Sequence, residues 1–196
     1  MSIPKIIHYC WFGGGPISAE SRRCMESWKK YCPDYKIMAW NEQNFDFSTN
    51  RYAQQAYEAK RYAFVSDYVR LAVLYEYGGI YLDTDVELVR PLDELLEHKG
   101  FIGMEHSAPS PYGRTLLVNT GSGVGAEPGC GMIGKMLAAY RNAAFIQETG
   151  EPDLRTCTQR DTPLFAKAGL QQKNEQQELD GFLVLPTDCF SPFDYV

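Results

Sequence analysis

The chain has 196 residues, 44 % hydrophobic and 22 % charged, which suits one well-packed soluble domain and is short for two. Its formal net charge of −6 excludes a broad basic face for nucleic acid or anionic lipid. The apolar run at the N-terminus is too short for a signal peptide, and no later run approaches a transmembrane segment, so a cytoplasmic protein is expected.

In chain order, "IPKIIHYCWF" (3–12) reads as a buried first strand closed by Gly13-Gly14-Gly15-Pro16. Ser18 caps a helix over "AESRRCMESWKKYC", which Pro33 ends, and "YKIMAWN" alternates as a second strand. A long helical stretch runs from Ala53 through "SDYVRLAVLYEY" with a break near Ala63; Phe64, Tyr68, Leu71, Ala72 and Tyr75 form its apolar stripe, and Gly78 stops it. "GIYLDTDVEL" predicts a third strand, "PLDELLEH" a short helix and "FIGMEH" a fourth strand. Beyond these, "TLLVNTGSGVGAEPG" reads as strand and glycine-rich loop, "CGMIGKMLAAYRNAAF" and "DTPLFAKAGLQ" as helices, and "GFLVLP" as the last strand. Alternating strands and helices predict a single α/β domain over 1–196, with a Rossmann-type, mostly parallel sheet that binds ligands at the carboxyl ends of its strands.

Cys10, Cys24, Cys32, Cys130, Cys157 and Cys189 form no Cys-x-x-Cys pair and no zinc spacing, which predicts reduced thiols. His8, His98 and His106 read as structural. The aromatic content of 13 % suits a carbohydrate or nucleotide site and equally a plain core.

The chemistry concentrates at "SDYVRLAVLYEYGGIYLDTDVEL" (66–88). Strand alternation sends Ile80 and Leu82 one way and Tyr81, Asp83 and Asp85 the other. Two carboxylates on one face repel unless a cation lies between them, and oxygen ligands suit Mg²⁺ or Mn²⁺. Solvated loop acids are the plain alternative. An EF-hand is rejected because Leu88 stands where its glycine belongs and Pro91 intrudes. "GCGMIG" (129–134) follows no strand and makes a weak dinucleotide motif. "YLDTDVE" also fits the nucleophile strand of a haloacid-dehalogenase-like phosphatase, although no downstream lysine and acidic pair is evident. Upstream, Asp67 and Arg70 are neighbours on one helix face, either as a surface ion pair or as groups aimed at the carboxylates.

The ordered set Ser-Asp-x-x-Arg then Gly-Gly-x-Tyr-x-Asp-x-Asp resembles glycosyltransferase family 32, which includes capsular polysaccharide transferases and initiating mannosyltransferases. It is also similar to the catalytic domains of large glucosylating toxins. "IPKIIHYCWFGG", "SWKKYCPDYKIMAWNE" and "FLVLPTDCFSPFD" extend the likeness across nearly the whole chain.

The resemblance implies a GT-A fold and a retaining transfer from a UDP- or GDP-sugar to a glycan, lipid-linked or protein hydroxyl, as in capsule synthesis, with Mn²⁺ or Mg²⁺. It implies that Trp11 stacks on the base, and that Ser66 and Asp67 face ribose and sugar. Arg70 and Tyr81 would bind donor, Asp83 would reach ribose, sugar and metal, Asp85 would ligate the metal directly, and Asn119 would hold sugar. Family members usually continue into a His/Trp/Ser-containing stretch, so a C-terminal truncation, and with it a non-catalytic nucleotide-sugar binder, is a further reading. Polysaccharide enzymes of this kind often work peripherally at the inner membrane face.

Overall fold

A computed structural model describes residues 2–111 and 113–193. The chain forms β1 (Ile6–Cys10), α1 (Ala19–Tyr31), β2 (Lys36–Trp40), α2 (Arg51–Glu58), α3 (Tyr62–Tyr77) and β3 (Gly79–Tyr81). There follow β4 (Gly100–His106), β5 (Leu116–Ala126), α4 (Gly131–Ala138), α5 (Cys157–Lys167), β6 (Gln177–Leu179), β7 (Phe182–Leu185) and α6 (Thr187–Phe190). The seven strands form one sheet in the order β2-β1-β3-β5-β4-β7-β6.

The α/β class holds, but the sheet is mixed rather than mostly parallel. β1 pairs parallel with β2 and β3, and β4 with β7, whereas β5 runs antiparallel to both β3 and β4 and β6 antiparallel to β7. The cause is local: β5 follows β4 after a short connection with no crossover helix, so it can only return beside it.

Ser18 caps α1 as expected, its hydroxyl accepting from the Ser21 amide at 3.0 Å. The helical stretch after Asn50 is two helices, broken at Lys60, whose φ is +56°. The stripe assigned to α3 is corrected. Val65, Val69, Leu71, Val73 and Leu74 are buried together with Asp67 and Arg70, while Tyr75 is exposed. This helix is packed on several sides, so a single apolar stripe understates its burial. The segment "PLDELLEH" supplies only a 3-10 turn at Asp93–Leu95.

The core lies on both faces of the sheet. One side gathers Tyr52, Val65, Val69, Ile133 and Phe165 from α2–α5, and the other gathers Trp28 of α1 with Ile80, Leu82, Leu88 and Leu183. His8 is fully buried between β2 and the end of α3. The Trp40 indole N–H donates to its Nδ1 at 3.0 Å, so Nε2 carries the proton donated to the Gly78 carbonyl at 2.8 Å. The turn there needs Gly78 at φ +64° and Gly79 at φ +101°, where a Cβ on Gly79 would meet the Ile6 carbonyl and His8 itself. The α3–β3 junction is thereby fixed to the first strand.

Candidate active site

The predicted strand "GIYLDTDVEL" ends after Tyr81, and the two aspartates lie in the turn that follows, closed by the Val86 amide donating to the Asp83 carbonyl at 3.0 Å. Alternation still governs Asp83. Ile80 and Leu82 enter one core, while Tyr81 enters the other and its hydroxyl donates to Asp83 Oδ1 at 2.8 Å. Asp85 is placed instead by the turn and is exposed. From behind, α1 clamps this turn. The Trp28 indole donates to the Val86 carbonyl at 2.7 Å, the Leu88 amide donates to Ser27 Oγ at 2.8 Å, and Cys24 Sγ donates to the Asp85 carbonyl at 3.5 Å.

Arg70 is the hinge of the site. Its guanidinium is 4 % exposed, and Nη2 lies 3.3 Å from both Asp67 Oδ1 and Asp83 Oδ1. Nη1 donates to Thr120 Oγ1 at 3.0 Å, Nε to the Ser66 carbonyl at 3.2 Å, and the group sits 4.8 Å from the centre of the Tyr81 ring. The plain surface ion pair considered for Asp67 and Arg70 is therefore corrected: both are buried. Burial opposes the arginine's charge, but Asp83, Tyr81 and Asp67 together raise its pKa well above the ordinary value. Burial pushes Asp67 up to about 6 against the pull of Arg70, and raises Asp83 for the same reason.

Opposite the aspartates, β5 slips register against β4. Ile102 pairs with Val124 and Gly103 with Asn119, so 120–123 bulge toward the DTD turn. Thr120 reaches Arg70, and the Gly121 carbonyl accepts from the Asp83 amide at 3.0 Å. A Cβ on Gly121 would collide with the Asp83 carboxylate, which is why the bulge carries glycine. Asn119 organises the bulge. Its Oδ1 accepts from the Gly121 amide at 2.7 Å, and its Nδ2 donates to Glu105 Oε2 at 2.5 Å. A cleft of about 630 Å³ opens here, lined by Asp83, Asp85, Asn119, Ser122, Arg23 and Phe190 among others.

Ser66 turns its hydroxyl back to the Tyr62 carbonyl at 3.1 Å. Trp11 follows β1, half-buried, with its indole N–H on the Gly15 carbonyl at 2.7 Å. The same loop approaches the start of α3, since a Cβ on Gly13 would strike the Tyr62 ring. The structure brings Asp67, Arg70, Tyr81 and Asp83 into one contact network. Thr120 joins them from β5, where the glycines of "NTGSG" were the sequence signal, and the clamp from α1 had none.

The fit to a divalent ion can be tested on these residues. Asp83 Oδ1 is taken by Tyr81 and Arg70, which leaves Oδ2, beside Gly121, and the exposed Asp85 carboxylate. Among the described residues no group of three His, Cys, Asp or Glu could hold a metal. Two carboxylates suit an ion completed by phosphate oxygens and water, as Mg²⁺ requires.

A sheet that delivers an Asp-x-Asp turn beside a buried arginine has the architecture of the GT-A glycosyltransferases. The solved structure "PaToxG Glycosyltransferase" shares the fold at TM-score 0.57 and 22 % identity, covering 86 % of this chain and 72 % of that one. Residues 18–102 match the family model described as "Glycosyltransferase sugar-binding region containing DXD motif", so the likeness to glycosyltransferase family 32 holds over that region. Inositol phosphoceramide mannosyltransferase 3 of Schizosaccharomyces pombe is 32 % identical over 131 residues, 59 % of this chain and 33 % of its own length. Mannosyl phosphorylinositol ceramide synthase SUR1 of Saccharomyces cerevisiae is 32 % identical over 111 residues, 51 % of this chain and 27 % of its own. The chain thus spans about a third of the length of the curated relatives it matches. No helix among the described residues is long and apolar enough to cross a membrane.

Proposed function

We propose that this chain is the catalytic unit of a retaining hexosyltransferase that moves a sugar from a nucleotide-sugar donor to an acceptor hydroxyl. The observation that carries this is Arg70 held between Asp67 and Asp83, with the exposed Asp85 lining the adjoining cleft. The names of the relatives favour a mannosyl donor.

In this reading Trp11 stacks on the nucleotide base and Ser66 supports the ribose. Asp67 accepts hydrogen bonds from sugar hydroxyls, and the arginine locked against it keeps that carboxylate oriented. Asp83 Oδ2 and Asp85 would hold Mn²⁺ or Mg²⁺, which would supply positive charge to offset that of the departing diphosphate. Tyr81 fixes Asp83 so that its free oxygen faces the donor. With Asp67 locked against Arg70 and the free oxygen of Asp83 given to the metal, neither is assigned as a covalent nucleophile. The acceptor hydroxyl therefore attacks on the face the leaving group vacates, its proton passing to the diphosphate oxygen, with retained configuration. The same engagement of Asp83 weighs against a phosphoaspartate mechanism.

The test is nucleoside diphosphate release from a panel of UDP- and GDP-hexoses, GDP-mannose included, with Mn²⁺. Turnover of one donor, abolished in Asp85→Ala, is expected. A folded protein that neither binds nor turns over any of them overturns the proposal.

A further inference from the structure

Behind Asp67 lies a second buried group of charges that the proposed chemistry does not use. Asp161 of α5 has no exposed surface, and neither of its carboxyl oxygens has a hydrogen-bond partner. Among the described residues, five buried side-chain polar atoms with neither a hydrogen bond nor an ion pair fall in this one place: both oxygens of Asp161, Nε of Arg160, and the hydroxyls of Tyr52 and Tyr140. A native interior leaves few such groups, and a concentration of them marks a site with a role beyond packing.

Charge accounting explains what Asp161 must be. The groups facing it are Asp67 and Arg70 of α3, Arg160 and Cys157 of α5, and Tyr140 after α4. Tyr52 of α2 lies just beyond, under Arg160. Arg70 is already divided between Asp67 and Asp83. Arg160 lies over the Tyr52 and Tyr140 rings at 4.9 and 5.3 Å and forms its ion pair with Asp153 at 2.7 Å, where Arg155 also binds. Among the described residues no cation within ion-pair distance is left for Asp161. A buried carboxylate with neither a cation nor a hydrogen-bond donor is too costly to keep ionised.

We propose that Asp161 is a positioning residue of the donor site: a neutral carboxylic acid whose proton keeps the Asp67–Asp161 pair at one negative charge, so that Asp67 stays the ionised partner of Arg70. The inference rests on the transferase reading for the role of Asp67, but not for the protonation of Asp161. Burial holds the Asp161 carboxyl up to about 7, with the neighbouring Asp67 adding to it. Above that pH a second buried negative charge competes for Arg70 and faces the donor's diphosphate, so donor affinity falls.

Two measurements test this. The first is the infrared carboxylic-acid band of the whole protein at pH 6. Because Asp67 itself titrates at about 6, the variants assign the band: it is expected in the wild type, weakened in Asp161→Asn and kept in Asp67→Asn; its absence from the wild type, or equal intensity in Asp161→Asn, overturns the proposal. The second compares the pH profiles of donor affinity and of stability. Asp161→Asn keeps donor binding at pH 6 and holds it to pH 9, whereas the wild type weakens above about pH 7. Because the wild-type acid keeps its proton only when folded, its folding equilibrium falls about a hundredfold relative to Asp161→Asn between pH 5 and pH 8. Identical alkaline limbs in the two proteins overturn the proposal. A wild type that binds no nucleotide sugar sinks the transferase reading instead, while the band and the stability difference still decide the state of Asp161.

Discussion

Replacing Arg70 with methionine keeps most of the side chain's volume and removes the charge between Asp67 and Asp83. Asp67, with a side chain 9 % exposed, is then a buried carboxylate without its ion-pair partner, a change that costs about 3–5 kcal/mol. The Asp83 arm adds little, because that carboxylate is 39 % exposed and solvent screens it. Loss of the Thr120 hydrogen bond and of the contact with the Tyr81 ring adds about 1 kcal/mol. At pH 8 the total approaches about 5 kcal/mol, comparable with the whole stability of a small domain. At pH 5 the cost shrinks to about 1–2 kcal/mol, the packing and hydrogen-bond part alone. Asp67 already titrates at about 6 with the arginine present, and without it the carboxyl takes its proton at higher pH still. Urea unfolding of both proteins at pH 5 and pH 8 measures the difference. Equal costs at the two pH values, or less than about 1 kcal/mol at pH 8, would show that Arg70 does not hold a buried charge.

Three further outcomes are expected. Gly121→Ala forces the β5 bulge away from Asp83, costing about 1–3 kcal/mol of stability and weakening donor affinity more than removal of an exposed side chain would; unchanged denaturant midpoint and affinity would contradict the close approach. Trp28→Phe removes the indole donor to the Val86 carbonyl and costs about 1 kcal/mol, with a larger proportional loss of donor binding because the Asp85 turn loosens, as calorimetry of the variant would show. Burial lowers the His8 imidazole to about 4, so it stays neutral at pH 5 by NMR titration. The unfolded chain binds more protons at this position between pH 6.5 and 4, so its contribution of about 3 kcal/mol is present above that window and lost as pH falls through it. A His8 that titrates near 6.5 would refute the buried tautomer.

The local parts of the site were legible because short-range rules govern them. Asp67 and Arg70 are three apart on a helix, Gly78-Gly79 allow the sharp return, and alternation along Tyr81-Leu82-Asp83 sets the faces. The position of Asp85 was not legible in the same way, since the strand stops at Tyr81 and a turn, clamped by α1 some sixty residues earlier, decides where that carboxylate goes. Thr120 and Cys157 reach Arg70 across 50 and 87 residues, and no periodicity encodes such contacts. The antiparallel β5 was hidden because alternating strands and helices elsewhere argued for parallel pairing. Asn119, expected to hold sugar, has its amide engaged by Glu105 and the Gly121 amide within the bulge.

If the two carboxylates of the DTD turn jointly hold a divalent ion and a diphosphate, both ligands must stabilise the fold together. Thermal unfolding of the wild type and Asp85→Ala, with and without Mn²⁺ and a nucleotide-sugar donor, measures this. At a hundred times the dissociation constant, binding stabilises the wild type by about 2.7 kcal/mol, or about 5–10 °C for a chain of this size. This shift is expected to require both components and to vanish in Asp85→Ala; an equal shift in the variant, or a full shift without Mn²⁺, would rule out a shared metal site.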